Sequence, residues 1–273
     1  MPELPEVETT RRGLARHVVG KKITDVIVRD RRLRRPVPKQ LRSKLTGRSL
    51  RKLSRRAKYL IFHFDTGAMI LHLGMTGSLR ILTGDQPAAK HEHVDFVFGN
   101  KTRLRFRDPR RFGCILWTKD DPLHHELLRN LGPEPLGAEF TGNYLFAKSR
   151  KRTQSIKTFL MDSRILAGVG NIYANEALFA AGIHPGKKAG RITREQCAKL
   201  AAAIKNVLKR AIAKGGTTLR DYVNGQGQPG YFRLELKVYD RAGEPCSRCG
   251  TLIKTQRHGQ RSSFYCPKCQ LML

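Results

Sequence analysis

The chain has 273 residues, 40% of them hydrophobic, enough for two ordinary domains with real cores. Lys and Arg total 53 against 22 acids, a net charge of +31, and the isoelectric point is about 10.6. That balance calls for a polyanionic partner and fits nucleic acid, although a membrane surface, acidic proteins or a ribosomal setting would attract the same charge. No apolar run approaches the ~20 residues that span a bilayer, and the first residues carry acids where a signal peptide carries positive charge; the expected location is the cytoplasm, with access to the nucleoid.

The first eight residues are Met-Pro-Glu-Leu-Pro-Glu-Val-Glu. Prolines and acids in a first turn are ordinary helix-start chemistry. Removal of Met1 would also leave Pro2 with a free secondary amine, a nucleophile able to split one hard displacement into two easier steps. Glu3 and Glu6 lie one helical turn apart and so share a face. Val7, Arg11, Leu14 and Val18 recur at helical spacing, predicting a helix over 5–19 that stops near Gly20.

Short β-rich runs then follow at Ile23–Val28, Tyr59–Phe64, Met69–Leu73, Ser78–Leu82, Val94–Phe98, Arg103–Phe106 and Cys114–Trp117, the pattern of a sandwich or barrel. Gly99-Asn100 is a hairpin turn. Beyond it Arg103, Arg105 and Arg107 alternate with Leu104 and Phe106, so one strand face reads as basic, either a DNA-facing or a solvated surface. From Arg29 to Lys58 there are fourteen cations and one acid, Asp30. Most of these charges steer only, since screening limits their reach to about 8 Å.

Two loops stand apart. His72-Leu73-Gly74-Met75-Thr76-Gly77 presents Met75 between glycines, and Asp108-Pro109-Arg110-Arg111-Phe112-Gly113 presents arginines with a phenyl ring. Met75 and Phe112 are ordinary core candidates, and equally wedges for a duplex from which a base has been extruded. His91 and His93 form a His-x-His pair with no third metal ligand nearby.

Leu131 to Gly137 reads as a linker, after which helical periodicity takes over. Lys148 to Lys157 is again basic, and Lys151, Arg152 and Lys157 are candidate phosphate contacts. Gly168-Val169-Gly170-Asn171 precedes a helix, a backbone arrangement that suits an anion and equally a plain turn. Thr193 and Gln196 form a capping box for a helix that buries Cys197, Leu200, Ile204 and Leu208 and ends at Gly215-Gly216. The stretch 217–232, with Gly225, Gly227 and Gly230, reads as a mobile loop. Finally Cys246-x-x-Cys249 and Cys266-x-x-Cys269, sixteen residues apart, have the spacing of a closed four-thiolate zinc site. Two disulfides are the alternative, disfavoured in a chain without an export signal. The hairpin between the pairs carries Lys254, Arg257, His258 and Arg261, with Gly259 at its turn.

Pro2-Glu3-Leu4-Pro5-Glu6-Val7-Glu8, together with the cysteine ribbon and the string Gly168 to Glu176, closely resembles the bacterial formamidopyrimidine-DNA glycosylase family from residue 2 to the last cysteine pair. The resemblance implies an α+β multidomain fold: an N-terminal helix plus antiparallel β-sandwich (1–131), a linker (132–138), a helical helix-two-turn-helix domain with a lesion-capping loop (139–235) and a C-terminal zinc-ribbon hairpin (236–273). It implies a bifunctional DNA glycosylase and AP lyase acting on oxidised purines in double-stranded DNA, with one structural Zn2+ and no other cofactor, and nothing signals dimerisation. Pro2 is then the Schiff-base nucleophile, Glu3 the proton donor with Glu6 in support, and Lys58 a lesion-phosphate contact that assists β-elimination. Met75, Arg110 and Phe112 fill the emptied stack, with Arg110 meeting the orphaned base, while His91 and Asn171 contact DNA and Arg261 grips phosphate and takes part in δ-elimination. The residues before Pro229-Gly230-Tyr231-Phe232 depart from the family's capping loop, which leaves base reading open. Two other readings stand beside this one: the endonuclease VIII type, whose opening Pro-Glu-Gly-Pro-Glu differs at Leu4, and a non-catalytic zinc-ribbon binder of DNA or RNA.

Overall fold

The computed structural model describes residues 2–99, 101–216 and 235–272, so Met1, the hairpin residue Asn100, the whole of the predicted 217–232 loop and Leu273 lie outside the described residues. Its first helix, α1 (Leu4–Val18), starts on a capping box in which the Glu3 side chain accepts from the Glu6 backbone while Glu6 returns the bond to Glu3. Leu4, Val7, Leu14 and Val18 are buried along one seam, as the periodicity requires, and Gly20 turns the chain with φ +80°.

Eight strands follow: β1 (Ile23–Val28), β2 (Lys52–Arg56), β3 (Tyr59–Phe64), β4 (Gly67–His72), β5 (Ser78–Thr83), β6 (Glu92–Phe98), β7 (Thr102–Arg107) and β8 (Cys114–Thr118), with a short helix α2 (Leu41–Leu45) between β1 and β2. They pair antiparallel into two four-stranded sheets, β1-β6-β7-β5 and β2-β3-β4-β8. Period-2 alternation turns Leu60, Phe62 and Phe64 of one sheet and Phe96, Phe98, Leu104 and Phe106 of the other into one core, closed by Val7, Leu14 and Val18 of α1. The predicted strands are present within a residue or two. Sequence reading missed α2, too short to show a period, and β2, whose Lys52-Leu53-Ser54-Arg55-Arg56 carries one apolar residue.

At Arg103 and Arg105 the basic face of β7 is taken up by ion pairs within the fold rather than offered to a polyanion. Arg105 is 2% exposed and donates to both oxygens of the fully buried Asp95, at 2.8 and 2.9 Å, and to Glu92 at 2.8 Å. Arg29 and Arg103 reach the same Asp95 carboxylate. Burial opposes the charge on Asp95, but Arg29 and Arg105 outweigh it and keep the carboxyl below its ordinary value.

The chain divides into two compact units, one holding the described residues to Asn130 with Lys214–Gly216, the other Leu131–Ala213 and the described residues from Glu235. The second unit contains α3 (Gly142–Ser149), α4 (Ile156–Met161), α5 (Asn171–Ala181), α6 (Arg194–Ala213) and the hairpin β9 (Lys254–His258) with β10 (Arg261–Tyr265). The capping box of α6 forms as its sequence predicts, with Gln196 N donating to Thr193 Oγ1 at 3.1 Å and Thr193 N to Gln196 Oε1 at 3.2 Å, and Cys197 is fully buried. No helix among the described residues is long and apolar enough to cross a membrane.

Candidate nucleic-acid and catalytic sites

In the first unit, Pro2 is buried at the very start of α1, and the next residue is held twice: Glu3 N donates to Glu6 Oε2 at 2.8 Å while the Glu3 carboxylate caps the first turn. Glu3 and Glu6 are 2% and 1% exposed. Gly216 lies against Glu6, where an added Cβ would come within 2.9 Å of Oε1. The chain's second residue is thereby set on a rigid helix rather than on a fraying end.

Lys58 occupies the two-residue turn between β2 and β3, after Ala57 in the left-handed region at φ +52°. Glu8, two residues past Glu6 on α1, ties this turn to the helix. It accepts from Arg11, Arg12 and Arg55, and Arg55 also donates to Ala57 O at 2.9 Å. Burial works against the Glu8 carboxylate, but the hydrogen bonds from Arg11 and Arg12, with the charges of Arg11 and Arg55, hold its pKa down to about 2. Sequence reading missed both Glu8 and Arg55, since each is one charge among many until the fold brings them together.

It also missed His72. Its ring packs on Tyr59 at 4.7 Å, Nδ1 accepts from Gly74 N at 2.9 Å, and burial followed by the charges of Lys58 and Arg34 lowers its pKa to about 4. His72 is therefore a neutral imidazole near neutral pH. Together with Arg34, Arg35, Tyr59, Phe112 and Cys114 it lines a cavity of about 220 Å³.

The two singled-out loops meet. Phe112 is 43% exposed with the Arg110 guanidinium 4.7 Å from its ring centroid, and Met75 is half-buried, so Phe112 lies at the surface rather than in the core. His91 stands beside them, half-exposed with φ +72°, and its carbonyl accepts from Asp108 N. The histidine pair holds no metal cluster: His93 is buried with Nε2 on Asp108 O at 2.8 Å, and among the described residues only four cysteines gather as metal ligands.

In the second unit α5 organises everything. Gly168, φ +82°, and Gly170 lead into its first turn, where Asn171 is half-exposed with its Oδ1 buried and without a hydrogen-bond partner. Further along, the Glu176 carboxylate accepts from the backbone of Lys237, Val238 and Tyr239, and Asn175 Oδ1 accepts from Phe264 N at 2.8 Å. Burial raises the Glu176 pKa although those three backbone donors oppose it. The zinc hairpin is thus fastened to the helix whose start carries Asn171.

Lys157 requires a correction. It is 1% exposed, and its ammonium donates to Ser262 O at 2.5 Å and Ser263 Oγ at 3.0 Å, so it braces β10 from beneath instead of facing a phosphate. Its neighbour on that strand, Arg261, is exposed at the hairpin turn, as are Lys151 and Arg152 on their own loop.

The cysteines fit zinc. All four sulfurs lie within 4.8 Å of one another, with separations of 3.4, 3.5 and 3.9 Å, close to the edge of about 3.8 Å for a tetrahedron of 2.3 Å Zn–S bonds. A disulfide would need about 2.05 Å. Arg248 N and Cys269 N donate to Cys246 and Cys266 sulfurs, which suits thiolates. Four protein ligands leave no open position, so the ion is structural; it would hold the base of the hairpin, at whose far turn Gly259 takes φ +59°.

Three family models match this chain: the formamidopyrimidine-DNA glycosylase N-terminal domain over residues 1–115, its H2TH domain over 131–223, and the zinc finger found in FPG and IleRS over 243–271. A formamidopyrimidine-DNA glycosylase of Marinobacter nauticus is 56% identical over 99% of this chain and 100% of its own length. The Lactococcus lactis Fpg in complex with DNA containing an abasic site superposes with a TM-score of 0.92 at 38% identity, covering 99% of this chain and 100% of that one. A variant of the same Lactococcus protein bound to DNA containing Fapy-dG has a TM-score of 0.92 at 37% identity with the same coverage.

Proposed function

This chain belongs to the formamidopyrimidine-DNA glycosylase family, and on that premise we propose that it removes oxidised purines, 8-oxoguanine and formamidopyrimidines, from duplex DNA and then cuts the abasic strand. The observation that carries this reading is the reciprocal Glu3–Glu6 lock directly after Pro2, which gives an amine at that position a fixed direction of attack. Once Met1 is removed, the Pro2 nitrogen attacks C1' of the extruded nucleotide. The C1'–N bond to the base breaks, Glu3 takes part in the accompanying proton transfer, and an iminium joins protein to sugar.

Loss of the 2'-proton and cleavage of the C3'–O bond follow, then cleavage at C5', which leaves a one-nucleotide gap. Lys58 on its rigid turn holds the lesion phosphate for the first elimination, and Arg261 with Asn171 holds phosphate for the second. Met75, Arg110 and Phe112 occupy the space left by the extruded base, with His91 beside them. Exposed Lys151 and Arg152 supply further backbone contacts. The zinc ribbon keeps Arg261 in place and does no chemistry. Action on chromosomal DNA puts the protein in the cytoplasm and nucleoid.

Borohydride reduction tests the reading. Processed protein incubated with an 8-oxoguanine duplex becomes covalently joined to DNA through a peptide containing Pro2, whereas protein that retains Met1 does not. Trapping at any other residue, or full-rate excision with Met1 in place, overturns the scheme. A non-catalytic zinc-ribbon binder gives no trapped species, and the endonuclease VIII type prefers a duplex carrying an oxidised pyrimidine.

A further inference from the structure

The loops 73–77 and 108–113 are antiparallel crossings between the same two sheets. One leaves β4 at His72 and enters β5 at Ser78; the other leaves β7 at Arg107 and enters β8 at Cys114. His72 pairs with Cys114 and Ser78 with Arg107, so the strand pairing forces the loops to run side by side. Their backbones touch: a Cβ on Gly74 would fall 2.4 Å from Gly113 N and from Phe112 C.

Across this contact lies a closed set of hydrogen bonds. Thr76 Oγ1 donates to Asp108 Oδ1 at 2.7 Å and accepts from Arg110 N at 3.2 Å, while Asp108 Oδ2 accepts from Gly113 N at 2.8 Å. The Asp108 backbone is held in turn by His91 O and by His93 Nε2. Asp108 is fully buried and Thr76 8% exposed, so neither side chain faces a ligand. A fully buried carboxylate held by neutral donors is costly unless every bond is made; here the bonds span two loops that carry half-buried Met75 and exposed Arg110 and Phe112.

We propose that Thr76 and Asp108 are positioning residues: a clasp that makes the Met75 loop and the Arg110–Phe112 loop one rigid wedge, so that filling of the stack and contact with the orphaned base occur together. One hydroxyl serves both sides, because the same Thr76 oxygen that anchors Met75's loop also sets the backbone of Arg110. The proposal rests on the reading of Met75, Arg110 and Phe112 as the void-filling residues. It adds that opposite-base discrimination depends on two residues that touch no DNA.

The test uses full-length zinc-loaded protein and duplexes with 8-oxoguanine opposite C or opposite A, with 2-aminopurine beside the lesion to report wedge insertion. Thr76→Val keeps the side chain's shape and removes the hydroxyl. It is expected to slow the fluorescence change and to lower the ratio of kcat/KM for C over A about tenfold, with the melting temperature within a few degrees and affinity for undamaged duplex unchanged. Thr76→Ser restores both readouts. Asp108→Leu keeps similar volume, removes the acceptors for both Thr76 O–H and Gly113 N–H, and reproduces the Val defect.

A double-mutant cycle guards against a variant that merely folds poorly. In the parent background Met75→Ala and Phe112→Ala are strongly non-additive, and in the Thr76→Val background their fold-losses multiply. An unchanged C/A ratio and insertion rate in Thr76→Val, with Phe112→Ala and Arg110→Ala still defective, sinks the clasp alone. If Phe112→Ala, Met75→Ala and Arg110→Ala leave both readouts untouched, the void-filling reading fails and the clasp falls with it.

Discussion

Arg55 offers the sharpest check on how the catalytic constellation is built. Its guanidinium is 12% exposed, reaches Glu8 of α1 at 3.2 Å and donates to Ala57 O at 2.9 Å, one residue before Lys58. Arg55→Met keeps most of the stem's volume and removes both bonds. Charge-assisted bonds of this kind contribute about 1.5–3 kcal/mol, and Glu8 retains Arg11 and Arg12, so a stability loss of about 1.5 kcal/mol is expected. The rate effect is larger, because a turn freed to shift by on the order of an ångström costs up to ~100-fold in a positioned reaction. Single-turnover strand cleavage on an abasic duplex should fall between about ten- and a hundredfold, measured beside a urea melt. Arg55→Lys keeps the charge but lacks the planar fork that reaches two acceptors, and should show most of the loss. In a Lys58→Ala background Arg55→Met should add little. Cleavage within twofold of the parent in both Arg55 variants would falsify the idea that Glu8 and Arg55 place Lys58.

Asp95→Ala removes the carboxylate shared by Arg29, Arg103 and Arg105, leaving Arg105 with Glu92 and two carbonyls, and should lower stability by about 3 kcal/mol, read as a drop in urea midpoint; a loss under 1 kcal/mol would mean that water reaches the site. The Glu8 pKa of about 2 lies below the unfolded value of 4.5, so its contribution is complete above pH 4.5 and disappears as pH falls toward 2. Urea midpoints from pH 6 to pH 3 should therefore decline less steeply in Glu8→Gln than in the parent, and parallel curves would remove Glu8 from the acid-sensitive set. Zinc chelation should release one ion per chain and abolish retention of lesion DNA while the near-ultraviolet signal of Trp117, in β8 of the first unit, persists; undiminished retention without zinc would take the hairpin out of DNA binding.

The features legible in the amino-acid order are those decided over short spans. An amphipathic helix needs apolar residues three to four apart, a capping box a spacing of three, strands a period of two, and a zinc knuckle Cys-x-x-Cys, so α1, α6, every sandwich strand but β2 and the four-thiolate site could be read directly. A resemblance carried by Pro2 to Glu8 and by the cysteines then supplied roles for residues such as Lys58 and Arg261 that spacing leaves as single charges. The fate of each cation was settled by distance through the fold. Arg105 looked like part of a polyanion surface and is buried because β6 pairs beside β7 and brings Asp95 against it; Lys157 looked like a phosphate ligand and is buried because α4 passes under β10. Glu8, Arg55, His72, Thr76 and Asp108 carry no local signature at all. Local chemistry selects which element forms, whereas burial and partnering of a charge depend on which strands pair, and that is decided between residues far apart in the chain.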